Sequence, residues 1–252
     1  MSVNGYRSAL VTGASKGIGA GIARRLVEGG LTVHALARSA EALGVLRDEL
    51  GERLVPLAAD VTDTDAVIAA LAGAEIDVLV NNAGGLATVR PLAEQTAEET
   101  AETLALNLTA PLQLIRALLP GMIARSRGHI FNLTSSAARG VFTGTTAYAA
   151  AKAGLSQAGH VLRYDLAGTG VRITEIAPGR VETDFYLESF GGDRDALTAR
   201  MYTKERPLRP ADVAEALWGA LALPPHADVT ELVLSPTDQA PGGHVYRRPA
   251  DL

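Results

Sequence analysis

The chain has 252 residues, no cysteine and a formal net charge of −5, with 47% apolar and only 4% aromatic residues. Disulfides, thiolate nucleophiles and cysteine-ligated zinc are therefore excluded, and the acidic balance argues against a broad nucleic-acid surface. The five histidines, His34, His129, His160, His226 and His244, show no H-x-x-x-H spacing, so no metal ligand set is evident. The opening MSVNGYRSALVTG lacks the layout of a signal peptide, and no apolar run approaches the roughly 18 residues of a membrane span, so a cytoplasmic location without membrane contact is expected.

In chain order, the first apolar run, YRSALVT, leads into TGASKGIGAGIARRLVEGG. Gly13, Gly17 and Gly19 fall between an expected strand and an expected helix. Glycines there let backbone approach a pyrophosphate at a helix N-terminus, although a plain tight turn would also use them. Gly29 and Gly30 supply the helix stop. The second run, LTVHALA, ends in Ala37 and Arg38, where NAD-binding domains usually place an acid on the ribose 2′-hydroxyl. Arg38 and Lys16 would instead suit a 2′-phosphate and so favour NADP(H); the alternative is that both are solvated surface cations.

The third run, RLVPLAA, delivers Asp60, which is either a helix N-terminal signal or a contact to the adenine amine. The fourth, IDVLVNN, is followed by Ala83 and Gly84, small enough to let backbone come close to a ribose or nicotinamide. TLALNLTAP sets Asn107 inside an apolar helical segment, where Asn is disfavoured; by itself it reads as a buried, hydrogen-bonded structural residue. The fifth run, GHIFNLT, ends at Thr134, Ser135 and Ser136. Thirteen residues after Ser135 comes Tyr148, and the stretch YAAAK then places Lys152 one turn further on the same helix face.

The sixth run, VRITEIA, ends at Pro178, and the seventh is TELVLS. Between them, residues 184–206 break the rhythm with aromatics, paired glycines and mixed charge, as an insertion over a site would. The runs are continuously apolar rather than alternating, which suits parallel strands covered on both faces. With no linker or composition shift, residues 1–252 are expected to form a single doubly wound α/β domain.

Taken in order, TGASKGIG, NNAG, Asn107, Ser135, YAAAK and PGRVETD resemble the short-chain dehydrogenase/reductase family over nearly the whole chain. The resemblance implies a Rossmann-type fold with a central parallel seven-stranded sheet, and a dimer or tetramer packed through the helices carrying Asn107 and Tyr148. It implies Asn107, Ser135, Tyr148 and Lys152 as the catalytic set. In such a site a ketone accepting hydride becomes an alkoxide, and Tyr148 delivers the proton. Lys152 lowers the phenol's pKa and grips the nicotinamide ribose, Ser135 holds the substrate oxygen, and Asn107 holds a water linking Lys152 to solvent.

The implied cofactor contacts are Gly13, Ser15, Lys16, Gly17, Ile18 and Gly19 in the first turn, and Arg38, Asp60, Val61, Asn82, Ala83 and Gly84 on the next loops. Pro178 and Gly179 shape a turn beside the nicotinamide, with Val181 and Thr183 at its carboxamide. One departure is Arg139 and Gly140, since many relatives have their glycine one place earlier.

Residues 184–206 resemble a substrate lid, with Phe185, Tyr186, Phe190, Met201 and Tyr202 as an apolar wall and Gly191 and Gly192 as a hinge. The ending ELVLSPTDQAPGG is similar to NADP-dependent members acting on small hydroxy acids, alcohols and aldehydes, and Thr169 replaces an arginine common in carrier-protein reductases. The expected activity is NADP(H)-dependent hydride transfer with a small ketone or aldehyde, or the matching alcohol or hydroxy acid. The alternatives are a 3-oxoacyl-carrier-protein-type or polyketide ketoreductase, and a non-catalytic NADP(H)-binding sensor, which would not need both Tyr148 and Lys152.

Overall fold

Each of the seven apolar runs forms a strand in the computed structural model, which describes residues 3–86, 88–187, 192–201 and 206–238, apart from the side chains of residues 186, 200 and 201. The strands are β1 (Ser8–Thr12), β2 (Thr32–Ala37), β3 (Leu54–Ala58), β4 (Val78–Asn81), β5 (Gly128–Leu133), β6 (Val171–Pro178) and β7 (Glu231–Leu234). They pair in parallel throughout, in the order β3-β2-β1-β4-β5-β6-β7. This is the expected Rossmann-type doubly wound sheet. The chain winds one way from β1 and the other way from β4, so the loops leaving these two neighbours diverge and open a crevice.

The intervening helices are α1 (Gly17–Glu28), α2 (Ala40–Leu50), α3 (Thr64–Ala70), α4 (Ala97–Leu104), α5 (Ala110–Ala124), α6 (Thr146–Asp165), α7 (Arg194–Met201) and α8 (Pro210–Ala222). Neighbouring strand residues explain why the runs look continuously apolar. Ala9 and Val11 pack into one core with Ile22, Leu26, Leu43 and Leu217, whereas Leu10 points to the opposite core with Leu79, Leu114 and Ile130. Both sheet faces are thus covered, one by α1, α2 and α8 and the other by α3 and α5. Burying a leucine side chain is worth about 1.5–3 kcal/mol.

Two expectations need correcting. Burial does not extend to β7, which alternates exposed and half-buried residues and leaves Val233 61% exposed; it is an edge strand. Nor are all the runs apolar inside: β5 and β6 bury His129, Asn132, Arg172, Thr174 and Glu175.

α1 stops where the glycine pair stands. Gly30 takes φ +91°, and a methyl on Gly29 would lie 2.2 Å from the Trp218 ring. Asn107 lies in a π turn, Ala105–Thr109, joining α4 to α5, rather than in a regular helix. Its amide donates to the Thr103 carbonyl at 2.9 Å, the local side-chain competition that makes Asn a poor helix former.

Of the expected lid, Asp184–Tyr186 forms a single helical turn and α7 follows; Phe190, Gly191 and Tyr202, and the side chains of Tyr186 and Met201, lie outside the described residues. Gly192 has φ +82°. In α7, Arg194 pairs with Asp184 at 2.7 Å and Leu197 is buried. No helix among the described residues is long and apolar enough to cross a membrane.

Candidate active site

The crevice at the carboxyl ends of the strands is a cleft of about 1520 Å³. Drug-sized ligands occupy about 300–1000 Å³, so this volume suits a dinucleotide together with a small substrate. The expected site residues line it, with two exceptions: Gly19 and Asn107 are buried behind its wall.

At one end the glycine turn approaches α1. Gly13 and Gly17 take φ +66° and +55°, and a methyl on Gly19 would come 2.2 Å from the Gly13 carbonyl oxygen. Lys16 occupies the N-cap of α1 without capping it, so the first N–H groups of the helix have no side-chain acceptor there. Such an open, positive helix end fits a pyrophosphate. Exposed Arg38 lies just past β2, beside Ser39, whose hydroxyl accepts from Ala42 N at 3.1 Å. Arg38 and Lys16 both line the cleft, and cations of this kind would suit a 2′-phosphate.

Asp60 is not a helix cap; that task falls to Asp63, which accepts from Ala66 N. Asp60 accepts from the hydroxyl and N–H of Thr62, at 2.7 and 2.9 Å, and these bonds, with Arg38 nearby, hold its pKa below the usual carboxylate value. It therefore presents an anionic acceptor suited to an amine donor.

Asn82 and Thr12 brace this end. The Asn82 amide donates to the carbonyls of Thr12 and Gly13, and the Thr12 hydroxyl accepts from Asn82 N and Ala83 N. The amide of Asn82 is thus spent on the glycine turn, which leaves its cleft exposure to other atoms. Sequence reading missed Thr12 because its partners lie some 70 residues away.

At the other end, α6 presents Tyr148 and Lys152, 7% and 3% exposed. Lys152 Nζ donates to the Leu133 carbonyl at 2.9 Å and lies 5.8 Å from the centre of the Tyr148 ring. Burial lowers its pKa from 10.5 to about 8. The ring of Phe185, in the turn Asp184–Tyr186, is tilted against Tyr148 at 5.8 Å. Ser135 Oγ accepts from Ala137 N at 3.1 Å and caps the single turn Ser136–Ala138; Ser136 also faces the cleft.

Asn107 supports this end from behind. Its Nδ2 donates to the Gly85 carbonyl at 2.8 Å, and its Oδ1 accepts from Gly85 N at 3.2 Å. A methyl on Gly84 would meet Asn107 Oδ1 at 2.8 Å and Lys152 Nζ at 3.2 Å, so these two groups flank the same α-carbon.

The wall between the two ends comes from β6 and the segment leaving it. Gly179 N donates to Leu234 O, Val181 forms a bridge with Leu208, and Thr183 Oγ1 accepts from Phe185 N at 3.3 Å. A methyl on Gly17 would touch Thr183 Cγ2 at 3.3 Å, so the segment leaving β6 rests on the glycine turn. Arg206, at the end of the 184–206 segment, is tied to the PTDQ ending, where Asp238 accepts from its N–H at 2.9 Å. The assembly combines an anion cradle at one end with a buried phenol and amine at the other, the equipment for moving a proton beside a phosphate-bearing cofactor.

Known proteins resemble this chain closely. The family model described as short chain dehydrogenase matches residues 7–191. NADP-dependent 3-hydroxy acid dehydrogenase YdfG of Salmonella typhi is 39% identical over 240 residues, covering 93% of this chain and 96% of that protein. Serine 3-dehydrogenase of Agrobacterium fabrum is 37% identical over 244 residues, covering 94% and 97%. The closed form of a serine dehydrogenase complexed with NADP+ superposes with a TM-score of 0.89 at 37% identity, covering 96% of this chain and all of the other.

Proposed function

The chain belongs to the short-chain dehydrogenase family, and from that membership we propose that this NADP-dependent oxidoreductase interconverts a small 3-hydroxy acid and the corresponding carbonyl compound. The observation that carries the reading is the placing of Tyr148, Lys152 and Ser135 at one end of a cleft whose other end offers Arg38, Lys16 and the open N-terminus of α1. Bound NADP(H) supplies the hydride chemistry of such a site.

The chain's own residues do the rest. Ser135 Oγ donates a hydrogen bond to the carbonyl oxygen, and Tyr148 gives its phenolic proton to the same oxygen as negative charge develops there. In the oxidising direction Tyr148 takes that proton back. Lys152, fixed by the Leu133 carbonyl, sets its positive charge near the phenol, where it favours the phenolate. Asn107 keeps the Ala83–Gly85 loop against Lys152. Phe185 shields the phenol's ring as the first part of a substrate lid.

The substrate class is supported by Arg180, a half-buried cationic residue that lines the cleft one position beyond the Pro178–Gly179 turn. It is suited to holding the carboxylate of a hydroxy acid. Thr169, by contrast, is uncharged and bound into the turn between α6 and β6, so that position offers no cation to an acidic carrier protein. Val161 and Tyr164 leave apolar surface on α6, in keeping with a homo-oligomer packed through that helix.

The test is a panel read at 340 nm with NADP+: L-serine, 3-hydroxybutyrate and 3-hydroxyisobutyrate against neutral secondary alcohols of similar size. The acids should have the higher kcat/KM, and Arg180→Met should raise KM about tenfold for the acids alone, the worth of one charge-assisted hydrogen bond. Equal kcat/KM for acids and alcohols would remove the substrate class. No turnover at all, with firm NADPH binding, would favour a sensor.

A further inference from the structure

One polar cluster beside the site has no part in the chemistry above. Glu175, in β6, is buried to 4% exposure, yet it is a carboxylate on a strand whose neighbours are mostly apolar. A buried carboxylate is tolerated where donors compensate it. Thr134 Oγ1 donates to its Oε1 at 2.6 Å, Ser156 Oγ donates to its Oε2 at 2.7 Å, and Arg139 Nη2 lies 3.2 Å from the same Oε2.

The positions of these donors are informative. Thr134 directly precedes Ser135, and Arg139 is the C-cap of the turn Ser136–Ala138, so one carboxylate holds both ends of the loop that carries Ser135. Ser156 belongs to α6 and falls four residues after Lys152, which itself falls four after Tyr148, so all three share one helix face. His160 continues the stripe by another four residues; its Nε2 lies 2.6 Å from Glu231 of β7, and Glu231 also accepts from Arg139 at 2.8 Å. His160, Glu175 and Glu231 come close enough together to suggest a cation site, but the cation standing among their carboxylates is the Arg139 guanidinium.

We propose that Glu175 is a positioning residue for hydride transfer: its carboxylate clamps the Ser135 loop to the face of α6 that carries Tyr148 and Lys152, fixing the distance between the serine hydroxyl and the phenol. Arg139, at the point where the sequence departs from many relatives, is the outer jaw of this clamp. The inference rests on the reading of Ser135 as the substrate-oxygen donor. Its expected size follows from geometry, since a displacement of about 1 Å in a reacting constellation costs about a hundredfold in rate.

Glu175→Gln keeps the shape but places an amide N–H where hydroxyl and guanidinium donors now point. With NADP+ and the fastest substrate of the panel, kcat should fall about 10- to 100-fold while the Kd for NADPH, read by fluorescence titration, stays within twofold. Thr134→Val should lose at least tenfold in kcat, and Thr134→Ser, which keeps the hydroxyl, should return most of it. An unchanged kcat in Glu175→Gln overturns the clamp, as does a loss of NADPH affinity that matches the loss of kcat, which is the mark of a merely structural role. If Glu175→Gln does not fold, the Thr134 pair decides alone: equal kcat for the Val and Ser variants overturns the proposal. Ser135→Ala is measured beside them; wild-type turnover there would sink the reading of the site itself, independently of how the Glu175 variants behave.

Discussion

The two ends of the cleft are built on opposite plans. The cofactor end is made of backbone and small residues: glycines at 13, 17 and 19, a threonine–asparagine brace, and cations left exposed at Lys16 and Arg38. The proposed catalytic end is made of buried side chains, Tyr148, Lys152, Asn107, Thr134 and Glu175, each tied to a partner. Phosphate recognition needs close approach and unspent N–H groups, which small residues give. Proton delivery needs a perturbed acid at a fixed point, which requires burial and full hydrogen bonding. Substitutions at the first end should therefore act on cofactor affinity, and those at the second on turnover.

Tyr148→Phe tests the second half of that contrast and should have the largest effect. It removes the phenolic hydroxyl and leaves the ring against Phe185 and the Lys152 anchor in place. We expect kcat to fall by about 10²–10⁴, the usual contribution of a positioned general acid, with the Kd for NADPH within twofold. Wild-type turnover in this variant would mean that another group protonates the substrate; a large loss of NADPH affinity would erase the division between the two ends.

The same contrast decides what could be read from sequence. The glycine turn and YAAAK are local patterns, with their parts within a turn or two of one another, so spacing alone exposed them. The clamp and the brace are not local: Thr134 meets Glu175 across 41 residues, and Thr12 meets Asn82 across 70. Reading VRITEIA as one apolar run hid Glu175, because a run is judged by its average whereas a buried carboxylate is explained only by the donors around it. Asn107 was legible as a buried, hydrogen-bonded residue, but the π turn that carries it was not, since nothing in a sequence of helix formers marks an i→i+5 bond. The edge position of β7 depends on which strand lies at the end of the sheet, a matter of topology.

Arg38→Ala tests the cofactor end. Arg38 is exposed and lies beside the Asp60 loop, so its removal costs the fold little. The Kd for NADPH should rise about 10- to 100-fold, the value of a charge-assisted hydrogen bond to phosphate, while the Kd for NADH stays put. Added salt should narrow the gap in the wild type, because the guanidinium is solvent-exposed. Equal weakening of NADH and NADPH would place Arg38 on some part of the dinucleotide other than the 2′-phosphate.

Lys152→Met probes the cost that the proposed catalytic end bears for its chemistry, and its expected effect on stability is small. Burial holds the Lys152 pKa at about 8 against 10.5 for a free lysine. Below pH 8 both folded and unfolded chains carry the proton, and the folded chain bears the full desolvation penalty, about 3 kcal/mol for a shift of that size. Between pH 8 and 10.5 the unfolded chain binds more protons than the folded one, so this penalty shrinks as pH rises. Methionine removes the penalty but also the hydrogen bond to Leu133 O, worth about 1.5–3 kcal/mol for a charged donor. The two nearly cancel at pH 7, leaving the cofactor-free variant at or slightly above the wild-type Tm although turnover is lost. By pH 10 most of the penalty is gone, and because the folded amine is then neutral its bond to Leu133 O is worth only about 0.5–1.5 kcal/mol, so the variant should melt level with or slightly below the wild type. Calorimetry across pH 7–10 would show the difference changing in that direction; a Tm gap independent of pH would mean that the amine is better solvated than its burial implies, and that this end of the cleft is less dry than the contrast requires.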